Sequence, residues 1–193
     1  MRSYMIIGLG RFGSGLAKSL GQLGAEVLAM DVCPELVQQL SADVTHAVVG
    51  DGQDKEGLRA LGARNFDCAV VAIGDNLAAS VLTVMNLQEL GVPRLICKAH
   101  DEMHRRVLEK LGVDQVVVPE LEQAQRLARI LQSHNVLDYI ELSKDYGILE
   151  VPAPKSWADK SIRELNVRAK MDINIIAVKN GEKTMVSPSA DYR

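Results

Sequence analysis

The sequence predicts a doubly wound parallel α/β sheet followed by a small α+β lobe, and three features carry that prediction. Short aliphatic runs recur at regular intervals through the first 118 residues. Helix-periodic segments closed by glycine lie between them. A GxGxxG turn follows the first run directly.

The runs at 4–9, 26–30, 46–49, 68–73, 94–97 and 115–118 read as six strands. The first four are rich in Val, Ile, Leu and Ala with little polar alternation, the pattern of strands covered on both faces. Leu16, Leu20 and Leu23 share one side of a helix ending at Gly24. Val81, Leu82, Val84, Met85, Leu87 and Leu90 form an apolar face ending at Gly91, and Met103, Val107, Leu108 and Leu111 form another ending at Gly112. Each glycine stands where a helix C-cap is expected. Strand and helix alternating through short links is the grammar of a doubly wound sheet. Residues 120–133 read as one more helix, its aliphatic side supplied by Leu121, Ala124, Leu127, Ala128 and Leu131. The pattern then changes to short strands at 139–142, 147–151 and 173–178, a short helix at 161–165 and an Asn180-Gly181 turn. We expect a boundary near 135–138, with an N-terminal lobe over 1–137 and a C-terminal lobe over 138–193. A small sheet ending at Val186 leaves its last strands unaccounted for, so the second lobe reads as truncated.

Composition narrows the function. With 193 residues, 47% hydrophobic and 24% charged, the chain has the makeup of a globular protein. Its formal charge of −3 argues against a strongly basic surface, and no nucleic acid is expected as a partner. No apolar run approaches the roughly 18 residues of a membrane span. The opening residues enter a strand and glycine turn at once, which leaves no room for a signal peptide. Three cysteines without a CxxC pair point to a reducing compartment, hence the cytosol.

The strongest local signal is Gly8-Leu9-Gly10-Arg11-Phe12-Gly13, placed between a strand and a helix. Gly8 permits the tight turn, Gly10 lets the backbone approach a pyrophosphate, and Gly13 lets the helix pack close to the sheet. The free N–H groups of the helix's first turn then face the phosphates. Asp31 closes the second strand, where a carboxylate accepts hydrogen bonds from an adenosine ribose and repels a 2′-phosphate. This Rossmann-like arrangement suits a dinucleotide, and an adenine mononucleotide fits the same half-site. Asp51 and Gly74, at the ends of the third and fourth strands, belong to the same rim, where Asp51 serves as a ligand contact or as a turn cap. Arg11 offers a guanidinium fork to a terminal phosphate, and Lys98 is a candidate of the same kind.

A dehydrogenase also needs a substrate domain and a proton-transfer residue. The remaining lobe contains no histidine. His100 and His104, spaced i,i+4 near Asp101, lack the HExxH pattern and read as a solvated helix face. His46 and His134 read as structural, as do Cys68 and Cys97, while Cys33 has no evident base. A nucleotide-binding lobe without such machinery favours a sensor over an enzyme. The alternatives are an NAD(H)-dependent oxidoreductase and a nucleotide-dependent oligomerisation module of another transporter.

Longer stretches carry a resemblance. Residues 6–13, Val27-Leu28-Ala29-Met30-Asp31, Asp43-Val44-Thr45-His46-Ala47-Val48, Val70-Val71-Ala72-Ile73-Gly74, 107–112, Val117-Val118-Pro119-Glu120, 135–140 and 165–170 together resemble RCK/KTN domain proteins. These are the cytosolic gating subunits of Ktr-type bacterial potassium-uptake systems. The resemblance implies a Rossmann lobe that binds ATP, ADP or NAD(H), with Gly8, Gly10 and Gly13 around the phosphates, Asp31 on the ribose and Phe12 in the same nucleotide-binding turn. It implies that Arg11 reaches the terminal phosphate of ATP, often from a neighbouring subunit. It implies that Glu120 helps hold Mg2+ or another activating cation between paired nucleotides. Homodimers assembling into an octameric ring beneath a membrane potassium-translocating subunit are implied too. So is a receptor for cyclic di-AMP in a complete C-terminal lobe, near Ile162, Arg168, Asn174, Ile175 and Pro188.

Overall fold

A computed structural model describes residues 2–132, 138–141 and 146–193. The chain forms two compact units, Met1–Gln125 and Arg126–Arg193. The boundary expected at 135–138 falls largely outside the described residues.

The first unit is built on six strands: β1 (Ser3–Ile7), β2 (Glu26–Asp31), β3 (His46–Val49), β4 (Cys68–Val71), β5 (Leu95–Lys98) and β6 (Gln115–Val117). They pair in the order β3-β2-β1-β4-β5-β6, every neighbouring pair parallel. The chain moves outward from β1 to β3, crosses back over the sheet, and moves outward again from β4 to β6. That reversal leaves a crevice beyond the carboxyl ends of β1 and β4, where open α/β sheets bind ligands. Side-chain alternation explains why both faces need cover. Ile6, Val27, Ala29 and Val70 point to one face and pack with Ala17, Val37 and Leu40 of α1 (Arg11–Gln22) and α2 (Pro34–Leu40). Met5, Ile7, Leu28, Met30 and Val71 point to the other. There they meet Leu58, Val84, Leu87 and Leu108 of α3 (Lys55–Ala60), α4 (Leu77–Glu89) and α5 (Glu102–Lys110). Helices on opposite faces for the two halves follow from the right-handed crossover of parallel strands.

The helices end as expected, with Gly24, Gly91 and Gly112 all left-handed at φ +75° to +78°. Their buried faces differ from the sequence expectation in three places. Leu23 caps α1 and is 83% exposed, because the close-packed positions of that helix are Gly13 and Ala17. Leu82 and Met85 of α4 point outward, while Ser80 and Thr83 are buried. In α5 the inward stripe is His104 and Leu108, and Met103 is exposed. His104 is therefore a core residue and not part of a solvated face.

The next helix, α6 (Pro119–Gln132), has no buried residue, and the limit between the two units falls within its sequence. In the second unit, β7 (Asp138–Glu141) and β8 (Gly147–Glu150) form an antiparallel pair. Two helical turns follow, α7 (Ile162–Leu165) and α8 (Val167–Met171), separated by Asn166 at φ +46°. Ser161 opens α7 with a reciprocal cap: its hydroxyl accepts from the Glu164 N–H, and the Glu164 carboxylate accepts from the Ser161 N–H. The hairpin β9 (Ala177–Asn180) and β10 (Lys183–Val186) turns at Gly181. Its first strand begins four residues later than the expected run at 173–178. Asp172, in the left-handed region, breaks the extended path just before that run.

Candidate functional site

The glycine turn sits at the crevice between β1 and β4. Gly8 has φ +94°, and a Cβ on it would lie 3.0 Å from the Ala72 carbonyl carbon. Both facts require glycine where β1 passes close to the end of β4. Gly13 is tighter still. A Cβ there would stand 1.9 Å from the Gly8 carbonyl oxygen, so the first turn of α1 packs directly on the glycine loop. Gly10 behaves in the opposite way: a Cβ would meet nothing within 4 Å. Its open side and the absence of any side-chain cap or acidic residue in the first turn of α1 leave a free, electropositive helix end.

Asp31 closes β2 beside this turn. Its Oδ2 accepts a hydrogen bond from the Leu9 N–H at 2.6 Å, inside the fingerprint, and its Oδ1 accepts one from the Cys33 N–H at 2.8 Å. The carboxylate thus ties the glycine turn to the start of α2. Each oxygen keeps a further acceptor position for a hydroxyl. Sequence reasoning missed this tether. An aspartate ending a strand two residues before a Cys-Pro helix start was the available signal.

The remaining rim residues separate into groups. Asp51 takes the turn role: its carboxylate accepts the Gln53 N–H at 2.9 Å. Asn86 of α4 fixes the same loop by donating to the Gly52 and Gln53 carbonyls. Gly74 lies next to Lys98, whose Nζ would be 3.5 Å from a Cβ on that glycine. Lys98, largely covered, donates to Glu120 Oε1 at 2.8 Å. That hydrogen bond is the main reason the Glu120 carboxyl sits below its ordinary pKa; its own backbone N–H and the charges of Lys98 and Arg11 act in the same direction. Gly74, Lys98, Glu120 and Arg11 thus form one neighbourhood at the sheet's carboxyl edge, with Arg11 exposed and Phe12 half-buried beside it. Among the described residues no group of three or more His, Cys, Asp or Glu side chains is positioned to hold a metal ion.

The cysteines fall as expected for Cys68 and Cys97, both buried, and burial pushes the Cys97 thiol up to about 12. Cys33 does have a partner, donating from Sγ to Glu35 Oε2 at 3.0 Å. His46 is exposed at the start of β3, and His134 lies outside the described residues.

In the second unit, Ile162 begins α7, Arg168 lies in α8, Asn174 and Ile175 precede β9, and Pro188 follows β10. The Ser187 N–H donates to the Ile176 carbonyl at 2.8 Å, joining the segments on either side of that hairpin. Among the described residues no hydrogen bond links one of the five to another.

Comparison with known proteins matches residues 4–119 to the TrkA-N domain and residues 147–193 to the TrkA-C domain. Over 98% of its length the chain is 44% identical to the Ktr system potassium uptake protein C of Bacillus subtilis, covering 86% of that protein. It is 41% identical to potassium uptake protein A of the same organism, with the same coverage. Among solved structures, the GsuK channel bound to NAD superposes with a TM-score of 0.68 at 18% identity, over 96% of this chain and 34% of that one. The AMP-bound Kef C-terminal domain of Shewanella denitrificans gives 0.57 at 25% identity, over 69% of this chain and 83% of that one. Among the described residues no helix is long and apolar enough to cross a membrane.

Proposed function

Because the chain belongs to the family that joins a TrkA-N to a TrkA-C domain, we propose that it is the nucleotide-sensing regulatory subunit of a membrane potassium channel or transporter. The observation that carries this reading is near full-length similarity to two potassium uptake proteins, combined with a glycine turn whose open side faces a free helix end. In this reading residues 1–137 bind the nucleotide and 138–193 form the regulatory lobe. The diphosphate lies over Gly8, Gly10, Phe12 and Gly13, held by first-turn N–H groups. The ribose hydroxyls use the remaining acceptor positions of Asp31, while Asp51 and Gly74 border the ligand. The protein binds its nucleotide and does not consume it. NAD and AMP in two related folds support an adenine nucleotide, and ATP, ADP and NAD(H) are the candidates.

Gating requires that a ligand prefer one conformation of the assembly over another. ATP carries one more phosphate than ADP, and Arg11 is exposed at the helix end where that phosphate would emerge. A second copy completes the arrangement: Arg11 of one subunit meets the ATP of its neighbour, and Lys98 competes or cooperates at the same phosphates. Mg2+ or another activating cation at Glu120 would draw its other ligands from the nucleotide and the second copy. That follows from the chain supplying one carboxylate already bonded to Lys98. Homodimers and an octameric ring fit α6, which exposes Leu121, Leu127 and Leu131 along its length. The ring would sit in the cytoplasm, bound to the membrane only through its potassium-translocating partner. Cyclic di-AMP at Ile162, Arg168, Asn174, Ile175 and Pro188 would act as a second signal in the regulatory lobe.

Calorimetric titration with ATP, ADP and NADH, paired with potassium flux through the reconstituted membrane partner, tests the reading. ATP and ADP should bind and affect flux differently. Equal flux with either nucleotide would defeat the gating claim, and sustained NADH turnover with a substrate would favour an oxidoreductase.

A further inference from the structure

Two of the four buried polar side chains of the described residues, Ser80 and His104, bond to each other. His104 is 4% exposed, and its Nε2 lies 3.1 Å from Ser80 Oγ in the first turn of α4. Its Nδ1 faces the His100 backbone N–H at 3.3 Å. A backbone N–H can only donate, so Nδ1 must carry the lone pair and Nε2 the proton, which it gives to Ser80. This tautomer is assigned by the bonding pattern. The neutral ring therefore spans two elements: α4, which begins just after the loop at Gly74, and the loop from Lys98 to Asp101 that opens α5. Those are the loops in which Gly74 and Lys98 meet.

We propose that His104 is a positioning residue of the nucleotide rim: as neutral imidazole it holds the 74–76 and 98–101 loops together, and protonation at Nδ1 releases them. The inference rests on the nucleotide reading above for its functional consequence, though the tie itself does not. A proton on Nδ1 sets a donor against the His100 N–H, so that hydrogen bond must break, and it places a charge in a buried ring. Burial is accordingly the largest influence on His104 and lowers its pKa. Asp101, which caps α5 and accepts the His104 N–H at 2.8 Å, opposes this, and His100 reinforces it. Asp75, in the loop before α4, faces His100 with an oxygen 3.9 Å from Nδ1, and Lys98 is held by Glu120. The only titratable residue of α4 is Glu89, about 13 Å along the helix from Ser80 and paired with Lys55. A lowered folded pKa means that the tie is intact above the ordinary imidazole value of 6.5 and is lost as pH falls through the lower folded value.

Nitrogen-15 NMR of the full chain reads the ring directly. At pH 7.5, His104 should show an unprotonated Nδ1 and a protonated Nε2; the opposite tautomer would overturn the proposal. The His100 amide and its loop neighbours should lose hydrogen-exchange protection between pH 7.5 and 5. His104→Asn places a non-titrating carbonyl acceptor near Nδ1 and should flatten that response. Equal losses in wild type and variant, or no loss in either, would overturn the proposal. NAD, whose pyrophosphate does not titrate in this range, should bind several-fold more weakly at pH 5 to wild type but not to the variant. If NAD fails to bind at any pH while the His100 amide still responds, the nucleotide reading fails and the tie stands. If NAD binds with affinity independent of pH while the amide responds, the role in positioning the rim is refuted.

Discussion

Gly10 and Gly13 lie three residues apart in one motif, yet replacing each by alanine should damage different properties. At Gly13 the new Cβ would stand 1.9 Å from the Gly8 carbonyl oxygen, more than 1 Å inside ordinary contact. Neither partner is the end of a flexible side chain, so α1 or the glycine turn must move. Overpacking of this kind costs about 1–3 kcal/mol and sometimes more, and a backbone-on-backbone clash belongs at the upper end. At Gly10 the Cβ meets nothing within 4 Å, and the backbone, at φ −63°, is one that alanine adopts freely. The gain from a stiffer unfolded chain, about 0.4–1 kcal/mol, roughly cancels the poorer N-cap quality of alanine. Gly10→Ala should thus unfold in urea within about 0.5 kcal/mol of wild type. Under the proposed function it should nevertheless bind ADP or NAD at least tenfold more weakly, because the methyl group occupies the approach of the diphosphate. Urea melts of the ligand-free chain and calorimetry of the same samples separate the two effects. A Gly13→Ala chain as stable as wild type would refute the packing argument. A Gly10→Ala chain with undiminished affinity would refute the placement of the phosphates.

Three further outcomes follow from named contacts. Asp31→Ala strips an acceptor from the Leu9 and Cys33 N–H groups and should cost roughly 2 kcal/mol in a urea melt even without ligand, the scale of bonds to a charged group; a change confined to nucleotide affinity would contradict the tether. Lys98→Met removes the main influence holding Glu120 low, so its carboxyl should titrate nearer 4.5 by NMR. The Lys98 bond favours ionised Glu120, so its contribution is present above that ordinary value and fades as pH falls through the lowered one; an unmoved titration would refute the assignment. Native alkylation at pH 8 should modify Cys33 far faster than Cys97, whose buried thiol titrates near 12, and comparable rates by mass spectrometry would show that the core opens readily.

The sheet was legible because its strands are covered on both faces, and aliphatic runs in that setting have few other solutions. The glycine turn was legible for a related reason: Gly8 and Gly13 answer to backbone crowding, which no other residue type satisfies. Helix orientation was less readable where apolar residues surround the whole helix. Of the six apolar side chains the sequence placed along α4 and its C-cap, the sheet buries Val84 and Leu87, and beside them Ala79, Ser80 and Thr83. Ser80 is tolerated because His104 bonds to it, a pairing between residues 24 positions apart that periodicity does not reveal. The second contacts of Asp31 escaped notice for the same reason. A strand-end carboxylate announces an acceptor, and only the assembled loops decide which N–H groups arrive first.

The way Asp31 is held bears on where a nucleotide signal can originate. With Leu9 and Cys33 already bonded to it, the carboxylate has its rotamer fixed, so under the proposed function the ribose end of the crevice would be preorganised. Binding there need not spend the roughly 0.5–1.5 kcal/mol of ordering that a mobile side chain would require. A rigid receptor also reports little, since it has the same shape empty and full. Under the proposed function, discrimination among adenine nucleotides would then fall to the opposite end of the ligand, where Arg11 is exposed and Lys98 is paired with Glu120. In that reading one end of the crevice would serve as an anchor that any adenosine can use, and the other as the pointer.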